Sequence, residues 1–291
     1  MKQNKPIAVF DSGIGGLTVY RELKERLPQE RFIYLGDTAR LPYGSKSAET
    51  VIKYSLQNAE FLVSLGVKML VVACNTASSF ALDALVDRFD MPIVGVIASG
   101  VRRALTLTHN QRVGVIATEA TVGSASYQNL LRELGPQTEV HAAACPLFVP
   151  LVEEGWLDHP VTREVARIYL EPLRAKGVDA LILGCTHYPL LKGVLAATLG
   201  PDVQLVDSAA ALAGEISSIL TALSLERRPE AGGAAEDDFY VTDSIPRFQR
   251  VAEIFLARKL DHIRLVDLGV APRREGDRKS TRLNSSHGKL S

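Results

Sequence analysis

The sequence lacks an excess of charge of either sign. Its 291 residues include 33 Lys and Arg against 33 Asp and Glu, so the formal net charge at pH 7 is zero. Proteins that bind nucleic acid or anionic membranes as their main partner usually carry a basic excess, because long-range attraction to phosphate depends on it. The balance therefore favours a small-molecule ligand and predicts no nucleic-acid or membrane partner.

Cysteines are scarce, and long apolar runs are missing. The three cysteines, Cys74, Cys145 and Cys185, lie far apart in the chain, which is a poor disulfide framework. We expect free thiols in a reducing compartment. The N-terminal sequence MKQNKPIAVFDSG has no apolar stretch long enough for a secretory signal. No uncharged apolar run approaches the roughly 20 residues that span a bilayer, so we expect a cytoplasmic protein.

Strands and helices alternate along most of the chain. Short β-branched runs that end in small or polar residues predict strands, and segments with helical periodicity separate them. The predicted strands cover residues 7–10, 32–35, 68–73, 93–97, 113–117, 140–144, 180–184 and 204–206, and the clearest helices cover residues 17–27, 48–65 and 162–175. Strands without polar alternation, connected by helices, predict parallel sheets that are covered on both faces.

This alternation occurs twice. IAVFDS, FIYLGD and GVKMLVVACNT begin at positions 7, 32 and 66, and VGVIAT, VHAAAC and GVDALILGCTH begin in the same order at positions 113, 140 and 177. The repeat predicts an α/β fold of two pseudo-symmetric lobes, each a mostly parallel sheet flanked by helices, with the active site in the cleft between them. We predict a first lobe from residues 1–98 and 209–268, and a second from residues 99–208.

The C-terminal segment differs from the rest of the chain. The hydrophobic pattern stops after Leu268, and we expect residues 269–291 to form a disordered tail. Within it, DRKSTRLNSSH at positions 277–287 resembles the translation of a common short-read sequencing adapter. Our hypothesis is that this stretch is an assembly artefact without function. The polar, Gly- and Ala-rich residues 226–238 are predicted to form an exposed loop.

Two cysteines follow equivalent strands of the repeat. Cys74 in VVACNTASS and Cys185 in LILGCTHYP each come after an apolar strand and before hydrogen-bonding side chains. A single cysteine in this position is most often a small buried hydrophobe. Two at matching positions favour a reactive pair, and a helix beginning at each is expected to lower the thiol pKa. Cys145 precedes Pro146 and lacks such neighbours, so we predict that it is a core residue.

Two glycine-containing turns also follow predicted strands. DSGIGG, at residues 11–16, is either a tight turn or a place where backbone amides reach an anion such as a carboxylate. It lacks the third glycine of a dinucleotide fingerprint, and no GK[ST] follows, so a nucleotide is less favoured. GDTARLPYGSKS, at residues 36–47, combines Pro42 and Gly44 in a rigid turn. It either presents Tyr43 and backbone amides to a ligand or is a surface turn.

If the two lobes face each other across a cleft, one thiol lies on each side of a single ligand. Inversion of a tetrahedral carbon requires this arrangement, because one group removes a proton from one face while another delivers a proton to the opposite face. Charge also develops on the substrate and needs hydrogen-bond donors. Suitable hydroxyl and amide groups are those of Ser12, Asn75, Thr76 and Thr186.

Together these motifs resemble a known family. FDSGIGGLTV, GDTARLPYG, ACNTAS and GCTHYPLL, in this order, are similar to the signature segments of the glutamate racemases, in the aspartate/glutamate racemase superfamily. The likeness covers residues 7–268. It implies a cofactor-independent isomerase that interconverts L- and D-glutamate, supplies D-glutamate for peptidoglycan synthesis and forms homodimers. Aspartate racemases typically have Glu at the position of His187, so the resemblance favours glutamate as substrate.

The resemblance also implies residue roles. The implied catalytic residues are Cys74, Cys185, Asp11 and His187. Each cysteine would act as base in one direction and acid in the other, the first one deprotonating D-glutamate, and each would have one of the other two residues as its auxiliary partner. The implied substrate-binding residues are Asp11, Ser12, Tyr43, Gly44, Asn75, Thr76, Thr186 and His187. Asp37 and Glu153 match further acidic residues near the site, with roles left open. No metal or organic cofactor is implied.

Two other classes of function fit parts of this pattern. Cys74, Cys185 and His187 could form a Cys₂His catalytic zinc site with an open fourth position, although C-T-H puts two of these ligands only two residues apart. A two-lobed amino-acid binding module is the non-catalytic alternative. The zinc enzyme predicts bound metal and sensitivity to chelators. The binding module predicts that Cys74→Ser and Cys185→Ser bind the ligand as well as the unmodified protein does.

Overall fold

The computed structural model of the protein describes residues 2–227, 236–260 and 262–268. The predicted tail at residues 269–291, with the adapter-like stretch at 277–287, lies outside the described residues. So does most of the loop predicted at residues 226–238. Nearly all of the predicted strands and helices, and all of the predicted site residues, lie within them.

The described strands form two parallel sheets. They are β1 (Ile7–Asp11), β2 (Phe32–Gly36), β3 (Met69–Val72), β4 (Ile93–Gly95), β5 (Arg112–Ala117), β6 (Glu139–Ala144), β7 (Ala180–Gly184), β8 (Gln204–Val206), β9 (Asp238–Val241) and β10 (Ile263–Leu265). The strand orders are β10-β9-β2-β1-β3-β4 and β6-β5-β7-β8, and every pairing is parallel. Because β2-β1-β3-β4 and β6-β5-β7-β8 have the same order, the repeat in the sequence corresponds to a repeat in topology.

Helices cover these sheets. They are α1 (Leu17–Arg26), α2 (Ala48–Ser64), α3 (Asn75–Phe80), α4 (Leu82–Arg88), α5 (Val96–Leu107), α6 (Glu119–Gly123), α7 (Ser126–Leu134), α8 (Phe148–Glu153), α9 (Pro160–Ala175), α10 (Lys192–Leu199), α11 (Ser208–Ala222) and α12 (Ile245–Leu256). Local sequence explains several starts: Ser47 accepts a hydrogen bond from the Thr50 amide at 3.4 Å, and Pro160 opens α9. Within the described ranges, no helix is long and apolar enough to cross a membrane.

The predicted α/β class is confirmed. Strands β1, β2, β3 and β7 are buried at every position, which explains why their sequences are continuously apolar. One strand prediction, at residues 93–97, is wrong at its end. The strand stops at Gly95, and Val96 already belongs to α5. Val96 and Ile97 are buried on the packed face of that helix, and a short apolar run does not distinguish such a face from a strand.

Elements after residue 206 connect the two sheets. Strands β9 and β10 extend the six-stranded sheet beside β2, with Ile33 paired to Asp238. Helix α11 packs against both α1 and α5, and α5 in turn packs on β7. The boundaries proposed for the two lobes, residues 1–98 with 209–268 and residues 99–208, stay a prediction.

Candidate active site

A cavity of about 300 Å³ lies where strands of both sheets end. Segments that follow β1, β3, β5 and β7 all contribute to its wall, as expected for a ligand site at the carboxyl ends of parallel strands. The lining residues are Ser12, Gly13, Ile14, Leu41, Pro42, Tyr43, Gly44, Cys74, Asn75, Thr76, Thr118, Val149, Pro150, Glu153, Cys185, Thr186 and His187. Its volume is at the lower end of the range for ligand pockets, which suits a small metabolite.

Cys74 and Cys185 both line this cavity, and each comes from a different sheet. They are 5% and 7% exposed, so each sulfur is shielded from bulk water but faces the cavity. All three cysteines are free thiols, as predicted. Cys145 is fully buried, does not line the cavity, and contacts the Ala143 carbonyl at 3.8 Å, consistent with a core residue.

The environment of Cys74 favours the neutral thiol. Its Sγ donates to Ser12 Oγ and accepts from the Ala77 amide, both at 3.4 Å. Burial, reinforced by the nearby Asp11 charge, raises the pKa of Cys74 to about 12. The Ala77 amide in the first turn of α3 does lower this pKa, as expected of the following helix, but burial and the Asp11 charge outweigh it.

Asp11 lies directly behind the cavity wall. It is 1% exposed, and its Oδ2 accepts from the Gly13 amide at 2.9 Å, while Oδ1 is buried without a protein hydrogen bond. Burial raises the pKa of Asp11, although His187 and neighbouring backbone amides oppose the rise. Asp11 is thus a buried acid near Cys74 rather than a lining residue, and its raised pKa lets it hold a proton more readily than an exposed aspartate.

A chain of ionisable side chains leads away from Cys185. Its Sγ lies 3.9 Å from His187 Nδ1, and His187 Nε2 lies 3.2 Å from Glu153 Oε1. Arg247 on α12 donates to the other oxygen, Glu153 Oε2, at 2.9 Å. Burial disfavours a charged imidazole, but the hydrogen bonds to Cys185 and Glu153 outweigh it and raise the pKa of His187 to about 10. His187 is therefore an imidazolium at neutral pH.

The other residues predicted to bind substrate also line the cavity: Ser12, Tyr43, Gly44, Asn75, Thr76 and Thr186. The Tyr43 hydroxyl points away from the cavity, since it donates to the buried carboxylate of Asp37 and accepts from Asn58. Asp37 also accepts from Arg40 Nε at 2.9 Å. Asp37 therefore anchors the turn that carries Tyr43 and Gly44 and does not face the cavity itself.

Sequence reasoning missed Thr118 as a lining residue. It follows β5 as Ser12 follows β1, so the alignment of VGVIAT with IAVFDS contains the signal that could have found it. Its hydroxyl lies 3.1 Å from that of Thr76 and 2.9 Å from that of Thr121. Because Thr76 follows β3 and the other two threonines follow β5, this hydroxyl cluster joins the two halves of the cavity wall.

The zinc alternative is not supported by the side-chain geometry. Throughout the part of the chain that is described, no three His, Cys, Asp or Glu side chains are grouped so that they could hold a metal ion. Cys74, Cys185 and His187 share one cavity but do not converge on a common point as ligands.

Gly15 allows a close approach of the two halves of the site. A Cβ at this position would lie well within 3.0 Å of Thr186 Oγ1 and His187 Nδ1. We expect Gly15→Ala to lower the free energy of unfolding by about 1–3 kcal/mol, the usual cost of overpacking, and to reduce activity by displacing His187. Gly214→Ala is the matched control, since nothing lies within 4 Å of its added methyl group and α11 gains a better helix former. Denaturant unfolding measures the stability of the two variants, and equal stability would contradict the prediction.

Comparison with known proteins agrees with this geometry. Residues 7–216 match the family described as Asp/Glu/Hydantoin racemase. The chain is 51% identical to a glutamate racemase from Geobacter metallireducens over 264 residues, which cover 91% of this chain and 97% of that protein. A crystal structure of glutamate racemase from Francisella tularensis in complex with D-glutamate has a TM-score of 0.86 at 40% identity, covering 91% of this chain and 98% of that one. The Escherichia coli glutamate racemase structure with L-glutamate and the activator UDP-MurNAc-ala has a TM-score of 0.72 at 30% identity, covering 89% and 97%.

Proposed function

The chain belongs to the Asp/Glu/hydantoin racemase family and interconverts L- and D-glutamate, and we propose that Cys74 and Cys185 carry the reaction as paired acid and base without a cofactor. The observation that supports this mechanism best is that both thiols, from equivalent strands of the two sheets, line one small cavity. A ligand held between them presents one face of its Cα to each sulfur, which is the arrangement that inversion needs.

The two thiols have different surroundings. Burial and its high pKa keep Cys74 as a thiol, able to give a proton. His187 Nδ1 lies 3.9 Å from Cys185 Sγ, so Cys185 has an ionisable partner beside its sulfur. We assign delivery of a proton to Cys74, and removal of the proton of L-glutamate from the opposite face to Cys185.

In that step Cys185 forms an S–H bond as the Cα–H bond breaks, and the electron pair left at Cα spreads into the α-carboxylate. The S–H bond of Cys74 then breaks as the new Cα–H bond forms on the other face, which gives D-glutamate. Cys74 is left as the thiolate, so the reverse reaction starts with Cys74 as the base for D-glutamate. Asp11, a buried acid near Cys74, is the proposed auxiliary partner of that thiol.

The two carboxylates of glutamate need hydrogen-bond donors. Hydroxyls of Ser12, Thr76 and Thr186, the Asn75 amide and the backbone of Tyr43 and Gly44 line the cavity and provide them. Donors placed where the α-carboxylate gains charge stabilise the transition state more than the ground state. This stabilisation has to supplement the factor of about 10² to 10⁴ that acid–base groups contribute.

The biological setting is part of the same proposal. The family resemblance supports a cytoplasmic homodimer that supplies D-glutamate for peptidoglycan synthesis and has no nucleic-acid or membrane partner. Light scattering of the purified protein measures the oligomeric state directly, and a monomer at working concentration contradicts that part of the proposal.

The activity itself has a direct test. Purified protein is incubated with L-glutamate, without pyridoxal phosphate or added metal, and the circular dichroism of the amino acid is followed. We expect the signal to decay to zero as the mixture becomes racemic. Dependence on metal or sensitivity to chelators would favour the zinc alternative, and binding of glutamate without decay would favour the binding module.

The two-thiol mechanism predicts an isotope pattern. When one enantiomer reacts in D₂O, we expect the product to acquire deuterium at Cα much faster than the recovered substrate does. The reason is that the base which takes the proton and the acid which delivers the deuteron are different groups. Mass spectrometry of the separated enantiomers measures the deuterium content of the product and of the recovered substrate. Rapid deuterium uptake by unreacted substrate would point instead to one base that exchanges with solvent.

A further inference from the structure

Asn75 has an amide whose two ends have opposite hydrogen-bonding properties. Its Oδ1 only accepts and its Nδ2 only donates, so the orientation of the amide decides whether it attracts or repels a carboxylate. Asn75 is the first residue of α3, next to Cys74, and lines the cavity while being only 5% exposed. An amide in this place needs a partner that fixes its orientation.

Tyr127 is that partner. It lies on α7, in the half of the chain that forms the four-stranded sheet, and its side chain is fully buried. Its hydroxyl donates to Asn75 Oδ1 at 2.6 Å. The ring is confined as well, because a Cβ at Gly184, the residue before Cys185, would lie 3.2 Å from Tyr127 Cε2.

The single proton of the phenol determines the polarity of this contact. Ser208 Oγ lies 3.4 Å from the Tyr127 oxygen and can donate to it, which leaves the phenol proton for Asn75. Burial keeps the pKa of Tyr127 well above its ordinary value, so the phenol stays a neutral donor at physiological pH. With Oδ1 bound in this way, Nδ2 is the end of the amide that is left for the cavity.

We propose that Tyr127 is a positioning residue for glutamate binding: it holds the Asn75 amide so that Nδ2 faces a substrate carboxylate. This inference rests on the proposed function, since it requires an anionic substrate in the cavity. Under this proposal the Tyr127 hydroxyl, from the second half of the chain, orients a hydrogen-bond donor, Asn75 Nδ2, from the first half.

The first test is Tyr127→Phe, which removes one oxygen and keeps the ring. We expect KM for glutamate to rise about tenfold, the size of one lost hydrogen bond, with a smaller change in kcat because the carboxylate is already charged in the bound substrate. Tyr20→Phe is the matched control. Tyr20 is equally buried, and its hydroxyl donates to Asp237 at 2.8 Å, away from the cavity. An unchanged KM in Tyr127→Phe overturns the inference.

A double-mutant cycle separates positioning from general destabilisation. If Tyr127 acts only through Asn75, Asn75→Ala and the Asn75→Ala/Tyr127→Phe double variant have the same KM. A further rise in the double variant would mean that Tyr127 contributes by another route, and the inference fails. An inactive unmodified protein contradicts the proposed function instead, so the two failures are distinguishable.

Asn75→Asp tests the polarity of the amide. The carboxylate keeps an acceptor for Tyr127 but turns a second acceptor, with negative charge, toward the cavity. We expect KM to exceed that of Asn75→Ala, because loss of a donor is then accompanied by repulsion of the substrate carboxylate. Binding equal to or tighter than that of Asn75→Ala would place Oδ1 rather than Nδ2 against the substrate, and overturns the inference.

Discussion

Cys74→Ser and Cys185→Ser are each expected to lower kcat/KM for racemisation by about 10³ to 10⁴, because a serine hydroxyl is a much weaker acid and its alkoxide is not populated near neutral pH. The loss must be equal for both directions in each variant, since two enantiomers have an equilibrium constant of one. Polarimetry or circular dichroism, started from each enantiomer in turn, measures kcat/KM in the two directions. Cys145→Ser is the matched control, since this buried thiol is outside the cavity and its hydroxyl can still reach the Ala143 carbonyl.

The two serine variants differ in what they retain. Cys185→Ser keeps the group proposed to face D-glutamate, and Cys74→Ser keeps the one proposed to face L-glutamate. Residual exchange of the Cα proton with D₂O is therefore expected mainly from D-glutamate in the first variant and from L-glutamate in the second. Exchange of the same enantiomer by both variants would contradict the assignment of faces. Full racemase activity in either variant would contradict the two-thiol mechanism altogether.

The parts of the site that follow strands could be predicted from the sequence. Strands β3 and β7 are short, continuously apolar and followed by polar residues, so the positions of Cys74 and Cys185 at strand ends follow from local pattern. Their placement in one cavity follows from the repeat, because equivalent strand ends of two similar sheets face a shared cleft. The same repeat places Thr118 at the position of Ser12, although Thr118 belongs to neither a cysteine motif nor a glycine turn.

Other features could not be predicted because they depend on tertiary contacts. The pKa of Cys74 is set by burial and by Asp11, 63 positions away, and no local pattern reports either. Arg247 and Glu153 come from distant helices and meet only through the packing of α12 near the cavity. The bond from Tyr127 to Asn75 likewise joins helices of different halves of the chain. Long-range pairs of this kind tune the site, while local sequence positions its main groups.

Glu153 is the long-range contact with the largest expected effect. Its carboxylate accepts from His187 Nε2. Burial alone would raise the pKa of Glu153, but the hydrogen bonds and charges of His187 and Arg247 outweigh burial, so the pKa lies below its ordinary value. It is therefore ionised across the working pH range and helps to hold His187 as an imidazolium. In Glu153→Gln that charge is lost while the cation of Arg247 remains nearby. Both changes disfavour a charged imidazole, so the pKa of His187 falls from about 10 toward its ordinary value.

The sign of the pH dependence follows from this shift. A His187 pKa raised in the folded protein contributes stability that is fully present below about pH 6.5, its ordinary value, and is lost as pH rises through about 10. Catalysis that needs the imidazolium beside Cys185 is lost over the upper part of the same range. In Glu153→Gln, whose His187 pKa is lower, both losses occur at lower pH. We expect the two proteins to be most alike near pH 6 and to diverge as pH rises.

At pH 9 we expect Glu153→Gln to retain about one half to one tenth of the wild-type kcat/KM, since lowering the His187 pKa from about 10 by about one to two units leaves that share of the wild-type imidazolium. The pH profile of kcat/KM measures this as a high-pH limb displaced to lower pH. Glu154→Gln is the matched control, because it makes the same change of charge one residue further on, at an exposed position. A loss in Glu153→Gln that is the same at every pH would mean that the carboxylate only positions the imidazole. We expect Glu154→Gln to keep the wild-type limb, so a displaced limb in Glu153→Gln alone is assigned to the charge next to His187 and not to the net charge of the protein.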